Sequence, residues 1–188
     1  AVRIDHAMSL SRIFCVPKDF HASQGVYLRF RSDELFAILA LESARHRTLV
    51  IGEDLGTVPA QFREQMSRAR VLQYKLLMFM KDGAGNFIPP ESYPCDALAA
   101  FGTHDVATLS GYFEKRDLEL RTNLGLFPTP EFEVRLRDER VQDIAGIARL
   151  LEHAGISAEW LDGLTGEEQE LERLSGINRF LARTPSFL

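Results

Sequence analysis

Three carboxylates in this chain stand in the same local setting. Asp5 ends the run Val2-Arg3-Ile4, Glu53 follows Val50-Ile51-Gly52, and Asp105 follows Phe101-Gly102-Thr103-His104. Acids at the ends of apolar runs can meet when the runs are barrel strands, because strand C-termini converge on one mouth. The intervals of about 50 residues leave room for one or two strand–helix units each. Acids gathered this way can break and remake a glycosidic bond. One carboxylate attacks the anomeric carbon, and a second protonates the leaving oxygen and then activates the acceptor. In retaining enzymes these two stand about 5–5.5 Å apart. A third can hold sugar hydroxyls and support the positively charged transition state. Arg3 lies two residues before Asp5, on the same face of a strand. It can therefore reach Asp5 and keep that carboxylate ionised.

Each of these residues also has a purely structural reading. A lone acid after an apolar run is commonly a helix cap or a solvated loop residue, and Asp54 fits that description. His104 alone reads as a loop histidine and Arg3 alone as a salt-bridge residue. Tyr74, Tyr93 and Tyr112 read as packing aromatics.

The elements that must position the acids follow from patterning. Val2–Ile4, Leu49–Gly52, Val71–Phe79 and Leu98–Gly102 read as strands. Uninterrupted apolar runs suit parallel strands buried on both faces. A helix is expected from Ser32, as cap, to about Arg45, with Asp33 and Glu34 in its first turn. Another follows Thr57, with Pro59 in its first turn and Phe62 and Met66 on one face. Residues 83–94 read as a Gly/Pro-punctuated loop. Helices are expected over about Glu131–His153 and Thr165–Arg183, the latter opened by a Thr165/Glu168 capping box. Alternating strands and helices predict a parallel α/β sheet or barrel.

Composition sets the outer bounds. The 188 residues suffice for one sizeable core. A net charge of −5 with no basic tract argues against nucleic acid or an anionic membrane as partner. No apolar run reaches the roughly 18 residues of a membrane span. Cys15 and Cys95 lack metal-ligand spacing and read as small buried apolar residues in a reducing compartment. The chain opens at Ala1 without Met and closes on Pro185-Ser186-Phe187-Leu188, so both ends read as cuts through a core.

Arg3-Ile4-Asp5-His6, Ile51-Gly52-Glu53-Asp54-Leu55-Gly56-Thr57-Val58-Pro59 and Gly102-Thr103-His104-Asp105 occur in the order found in 4-α-glucanotransferases. This amylomaltase or disproportionating-enzyme family is related to the α-amylases. Ser11-Arg12-Ile13-Phe14, a turn at Gly25-Val26-Tyr27, and Phe87-Ile88-Pro89-Pro90 look similar too. The resemblance covers residues 2–112 well and the helical remainder loosely.

The resemblance implies a partial (β/α)8 TIM barrel, with about strands 4 to 7, the approach to strand 8 near Arg183–Phe187, and extra helices after strand 7. Residues 1–112 would be the catalytic segment and 113–188 a mainly helical addition in the same domain. Asp5 matches the nucleophile, Glu53 the acid/base, Asp105 the transition-state stabiliser. Arg3 matches the arginine beside the nucleophile and His104 a histidine on sugar hydroxyls. Ala7-Met8-Ser9-Leu10 and Val106-Ala107 depart from common family patterns at the rim of the site.

The expected function is retaining transfer of α-1,4-glucan between maltooligosaccharides, cytoplasmic, without metal or organic cofactor. An α-glucan hydrolase would use the same acids. A non-catalytic, glucan-binding or self-associating module is the third reading. An incomplete barrel would expose two sheet edges and an apolar inner face, so the chain alone is expected to self-associate and to be inactive as a monomer.

Overall fold

The computed structural model describes residues 1–159 and 166–187. The expected capping box at Thr165 lies outside the described residues. In chain order the strands are β1 (Val2–Ile4), β2 (Arg12–Cys15), β3 (Val26–Arg29), β4 (Val50–Gly52), β5 (Gln73–Leu76) and β6 (Ala97–Ala100). The helices are α1 (Ser32–His46), α2 (Ala60–Arg68), α3 (Leu109–Phe113), α4 (Arg116–Asn123), α5 (Pro130–His153) and α6 (Gly166–Leu181). The fold is mixed α/β. Two compact units divide it: Ala1–Lys75 with Asp96–Leu98, and Leu76–Cys95 with Ala99–Leu188.

The first unit is organised by short parallel strands. β1 pairs in parallel with β4, Val2 opposite Val50 and Ile4 opposite Gly52. Ile51 bridges in parallel to Leu72, and Gln73 N–H donates to the Asp96 carbonyl at 2.9 Å. Val50 and Ile51 are buried, as expected of a strand covered on both faces. α1 and α2 pack below them through Phe36, Phe62 and Met66, with ring centroids of Phe36 and Phe62 5.4 Å apart. Gly52 sits where this packing is tightest. A Cβ there would meet Met66 Cε at 2.8 Å and Ala7 Cβ at 3.1 Å.

A two-stranded antiparallel hairpin, β2 with β3, lies between β1 and α1 in the chain, with Phe14 opposite Tyr27. Its apolar side chains Ile13, Phe14, Val26, Tyr27 and Leu28 are all exposed.

Several local expectations need correction. Val71–Phe79 is not one strand: the ladder ends at Leu76, and Leu77–Phe79 forms a 3-10 turn. A buried apolar run alone does not separate strand from helical turn. Gly25-Val26-Tyr27 is not a turn; its last two residues begin β3. Ser32 is the first residue of α1 rather than its cap, which is Arg31. The Ser32 hydroxyl instead accepts from Gln65 Nε2 at 3.1 Å. Cys15 is half-buried and Cys95 exposed, against the expected burial of both.

Asp54 does not cap α2 either, since Pro59 holds the N-cap position. Its side chain is wholly buried. Oδ1 accepts the Tyr74 backbone N–H at 2.8 Å, and Oδ2 accepts Arg63 Nε at 2.9 Å with Lys75 Nζ at 3.5 Å. Asp54 thereby ties α2 and β5 to the end of β4. Removing one partner of a buried charge network strands the others, at a cost of about 3–5 kcal/mol. Asp54→Ala should lose stability on that scale, read as a lowered urea midpoint. A change below about 1 kcal/mol would show that the cluster does not hold the unit together.

The second unit is mostly helical. Ile147 and Leu151 of α5 and Ile177 and Phe180 of α6 are buried. Thr129 caps α5, its hydroxyl accepting from Phe132 N–H, with Pro130 in the first turn. Arg140 binds Asp117 through two bonds of 2.8 Å and lies 3.7 Å from the Tyr112 ring centroid. Tyr112 donates its hydroxyl to Asp143 at 2.8 Å. Near the end of the described chain, Ala99 N–H donates to the Phe187 carbonyl at 2.8 Å, and Ser186 to Pro94 O at 2.6 Å.

Burial raises the Tyr112 phenol above its usual 10.0, and the bond and charge of Asp143 add to this. Burial raises Tyr93 as well. Folded phenols with raised values hold their protons where unfolded ones have lost them, so the stability they contribute is complete below pH 10 and falls as pH rises above it. Lys75, lowered first by burial, works in the opposite sense below its usual 10.5. Urea midpoints measured from pH 8 to pH 11 should drop at the alkaline end, and the drop should be shallower in Tyr112→Phe. An identical drop in that variant would assign the loss to other groups.

Candidate active site

The ends of β1 and β4 meet in register, and that brings three of the expected residues together. Arg3 Nη1 lies 2.8 Å from Asp5 Oδ1, the contact their spacing on one strand face predicts. The Arg3 guanidinium carbon also lies 5.4 Å from the centroid of the Tyr74 ring. Asp5 is largely exposed and Arg3 mostly covered, so the carboxylate faces outward from a held base. Among the described residues Arg3 Nη2, which is buried, has no hydrogen-bond partner.

Glu53 is stitched to the segment that follows Asp5. Its Oε2 accepts His6 N–H at 2.9 Å, and its Oε1 accepts Leu55 N–H at 2.6 Å. The backbones are joined as well: Glu53 N–H donates to Ile4 O and Ala7 N–H to Glu53 O, each at 2.9 Å. His6 adopts a left-handed conformation, φ 43° and ψ 59°, and its N–H donates to the glutamate. A non-glycine residue held there is strained, and such residues cluster at functional sites. Each Glu53 oxygen thus accepts one backbone N–H and keeps lone-pair capacity for a proton or a sugar hydroxyl.

His104 and Asp105 lie in the second unit, on the loop between β6 and α3, and both are exposed. His104 Nε2 is 3.4 Å from Asp105 Oδ1, and Asp105 N–H donates to Thr103 Oγ1 at 3.2 Å. Thr108 caps α3 directly after this loop, accepting from Gly111 N–H.

One residue gains a place at the site that patterning did not give it, and its neighbour a place in the scaffold below. Tyr74 stood as a packing aromatic, yet it lies under Arg3. Lys75, next to it, is half of the cationic pair on Asp54. Alternation along β5 was the available signal: neighbours on a strand point to opposite faces.

A profile described as 4-alpha-glucanotransferase matches residues 1–187. A 4-alpha-glucanotransferase of Haemophilus influenzae is 42% identical over 142 residues, covering 76% of this chain and 20% of that protein. The Mycobacterium bovis 4-alpha-glucanotransferase is 35% identical over 192 residues, covering 100% of this chain and 26% of its own length. Among solved structures, amylomaltase from Corynebacterium glutamicum superposes with a TM-score of 0.84 at 30% identity, over 98% of this chain and 26% of that one. Amylomaltase from Streptococcus agalactiae, solved in complex with acarbose, shares the fold with a TM-score of 0.61 at 20% identity, over 98% of this chain and 30% of that one. The chain belongs to the 4-alpha-glucanotransferase family. It spans about a fifth to a quarter of the length of the curated relatives named here. Among the described residues no helix is long and apolar enough to cross a membrane.

Proposed function

We propose that this chain supplies the catalytic centre of a retaining 4-α-glucanotransferase acting on maltooligosaccharides and other α-1,4-glucans. The observation that carries the reading is Asp5 held by Arg3 at the end of β1, beside Glu53 at the end of the paired strand β4. On this reading the Asp5 carboxylate attacks the anomeric carbon of a bound glucan, and Glu53 gives its proton to the departing 4-oxygen. The glucan is then held as an ester on Asp5. Glu53, now ionised, takes the proton from the 4-hydroxyl of an acceptor glucan, whose oxygen displaces Asp5. Asp105 supports the positive charge that develops at the sugar ring, and His104 donates to a sugar hydroxyl. These steps need no metal or organic cofactor.

The same reading places β1, β4, β5 and β6 as about strands 4 to 7 of a (β/α)8 barrel, with Phe187 opening strand 8. Residues 1–112 carry the motifs and 113–188 the helical addition. Parallel pairing of β1 with β4, and the bond from Ala99 to Phe187, support this order. A cytoplasmic location accords with two unpaired cysteines.

The test uses maltotriose and a polypeptide of the relatives' length that carries this chain. Glucans longer than maltotriose should form; glucose and maltose alone would establish a hydrolase instead. Glu53→Gln should cut turnover by about 10²–10⁴-fold, the usual worth of general acid–base assistance, with an unchanged melting temperature. A variant keeping more than about a tenth of wild-type turnover would remove Glu53 from that role.

The 188-residue chain by itself should behave differently. Exposed Val26, Tyr27 and Leu28 on β3, and the short ladder at β1 and β4, favour contacts between copies. Sedimentation velocity over a dilution series should show self-association, and maltotriose turnover should stay far below that of the longer polypeptide. A dilute monomer with comparable turnover would refute both statements.

A further inference from the structure

The two acids at the strand ends are held in different ways. Glu53 is fixed by the backbone N–H groups of His6 and Leu55. No such bond reaches the Asp5 carboxylate among the described residues, and Arg3 is the one cation that pairs with it. The aim of this largely exposed carboxylate therefore depends on where the Arg3 guanidinium stands.

Arg3 has few supports of its own. Nη1 is given to Asp5, and among the described residues the buried Nη2 has no hydrogen-bond partner. The other contact of the guanidinium is the Tyr74 ring, its carbon 5.4 Å from the centroid. An arginine carries five N–H donors, and one bonded so sparsely can turn unless something holds its face. A cation within about 6 Å of an aromatic centroid is attracted to the ring, more strongly as water is excluded. Arg3 is mostly covered, so the attraction acts away from bulk water.

Tyr74 is built to stay in place. Its N–H donates to the buried Asp54 Oδ1 at 2.8 Å. On one side of it Gln73 N–H donates to Asp96 O at 2.9 Å, and on the other Lys75 Nζ lies 3.5 Å from Asp54 Oδ2. The Tyr74 hydroxyl has no hydrogen-bond partner among the described residues, so the ring alone makes the contact.

We propose that Tyr74 is a positioning residue for the nucleophile, acting on Asp5 through Arg3. The proposal rests on the reading of Asp5 as the attacking carboxylate. Arg3 holds Oδ1, which leaves Oδ2 to form the bond to the anomeric carbon. The bond to the leaving group breaks at the same time, and its electron pair departs with that group. Without the ring the guanidinium turns and the carboxylate loses its aim.

The test uses the longer polypeptide with two donors, maltotriose and α-maltotriosyl fluoride. Fluoride leaves without help from an acid, so the second donor reports the nucleophile apart from Glu53. Tyr74→Leu should lower kcat on both donors by about five- to thirtyfold, the rate equivalent of one cation–π contact, with KM changed by less than about twofold. Glu53→Gln should instead recover on the fluoride donor. Tyr74→Phe keeps the ring and should restore turnover to within about twofold of wild type. In an Arg3→Gln background, Tyr74→Leu should cost less than about twofold more, because the residue it acts through is gone. Melting temperatures check the fold of each variant. If Tyr74→Leu does not fold, Tyr74→Met takes its place as a ring-free side chain that adapts to irregular space.

An unchanged kcat in the ring-free variant would overturn the proposal. So would its full effect in the Arg3→Gln background, or a loss in Tyr74→Phe as large as in Tyr74→Leu. Asp5→Asn separates this idea from the reading beneath it. If Asp5→Asn keeps its turnover, the nucleophile reading falls and the positioning role with it. If Asp5→Asn is inactive while Tyr74→Leu is not slowed, the positioning role alone falls.

Discussion

The buried carboxylate of Asp54 is the interaction on which the first unit depends. A wholly buried charge is tolerated only when it is fully partnered. Asp54 meets that condition by drawing on two separate stretches of chain: Arg63 from α2, and from β5 both Lys75 and the backbone N–H of Tyr74. Each of these bonds also fixes something else. Arg63 reaches back to the Asp54 carbonyl at 3.3 Å, which sets α2 against the end of β4. The Tyr74 bond sets the register of β5 beside β4, in step with the Ile51–Leu72 bridge.

From that anchor the geometry passes to the chemistry in few steps. Tyr74, held by its backbone, presents its ring to Arg3. Arg3, covered and stacked, presents one nitrogen to Asp5. Glu53 is the residue directly before Asp54, so the anchor that buries one carboxylate directs its neighbour to the opposite side of the strand end. Adjacent acids therefore take opposite duties. One is sealed in and holds the scaffold, while the other is half-buried and bonded through two backbone N–H groups that leave part of each oxygen free.

Much of this was legible in the sequence, because the signals were local and strong. Val50-Ile51-Gly52 suited a short buried strand, and the i, i+2 relation of Arg3 and Asp5 needed nothing beyond strand geometry. Phe62 and Met66 fell on the buried face of α2 as their spacing requires. What escaped notice depended on long-range partners. The hairpin escaped because Ile13, Phe14, Val26, Tyr27 and Leu28 are exposed on both faces, so its strands lack the apolar–polar alternation that marks a half-buried strand. Asp54 read as a helix cap because its true partners lie 9, 20 and 21 residues ahead, beyond any local pattern. The strand expected to run to Phe79 stopped at Leu76, since burial alone is shared by strands and tight turns.

The hairpin and the anchor together explain how the first unit is assembled around its strand ends. In a plain unit the chain passes from β1 to α1 through a short loop. Here 27 residues separate Ile4 from Ser32, and the antiparallel hairpin fills that interval. Its ladder brings Arg12 and Arg29 to the start of α1, while α2, fixed through Arg63 to Asp54, brings its own start beside it. The arginine pair is therefore set by the insertion, and the carboxylate pair by the strand ends. Arg3 reaches Asp5 at 2.8 Å because the two stand two residues apart on one strand face.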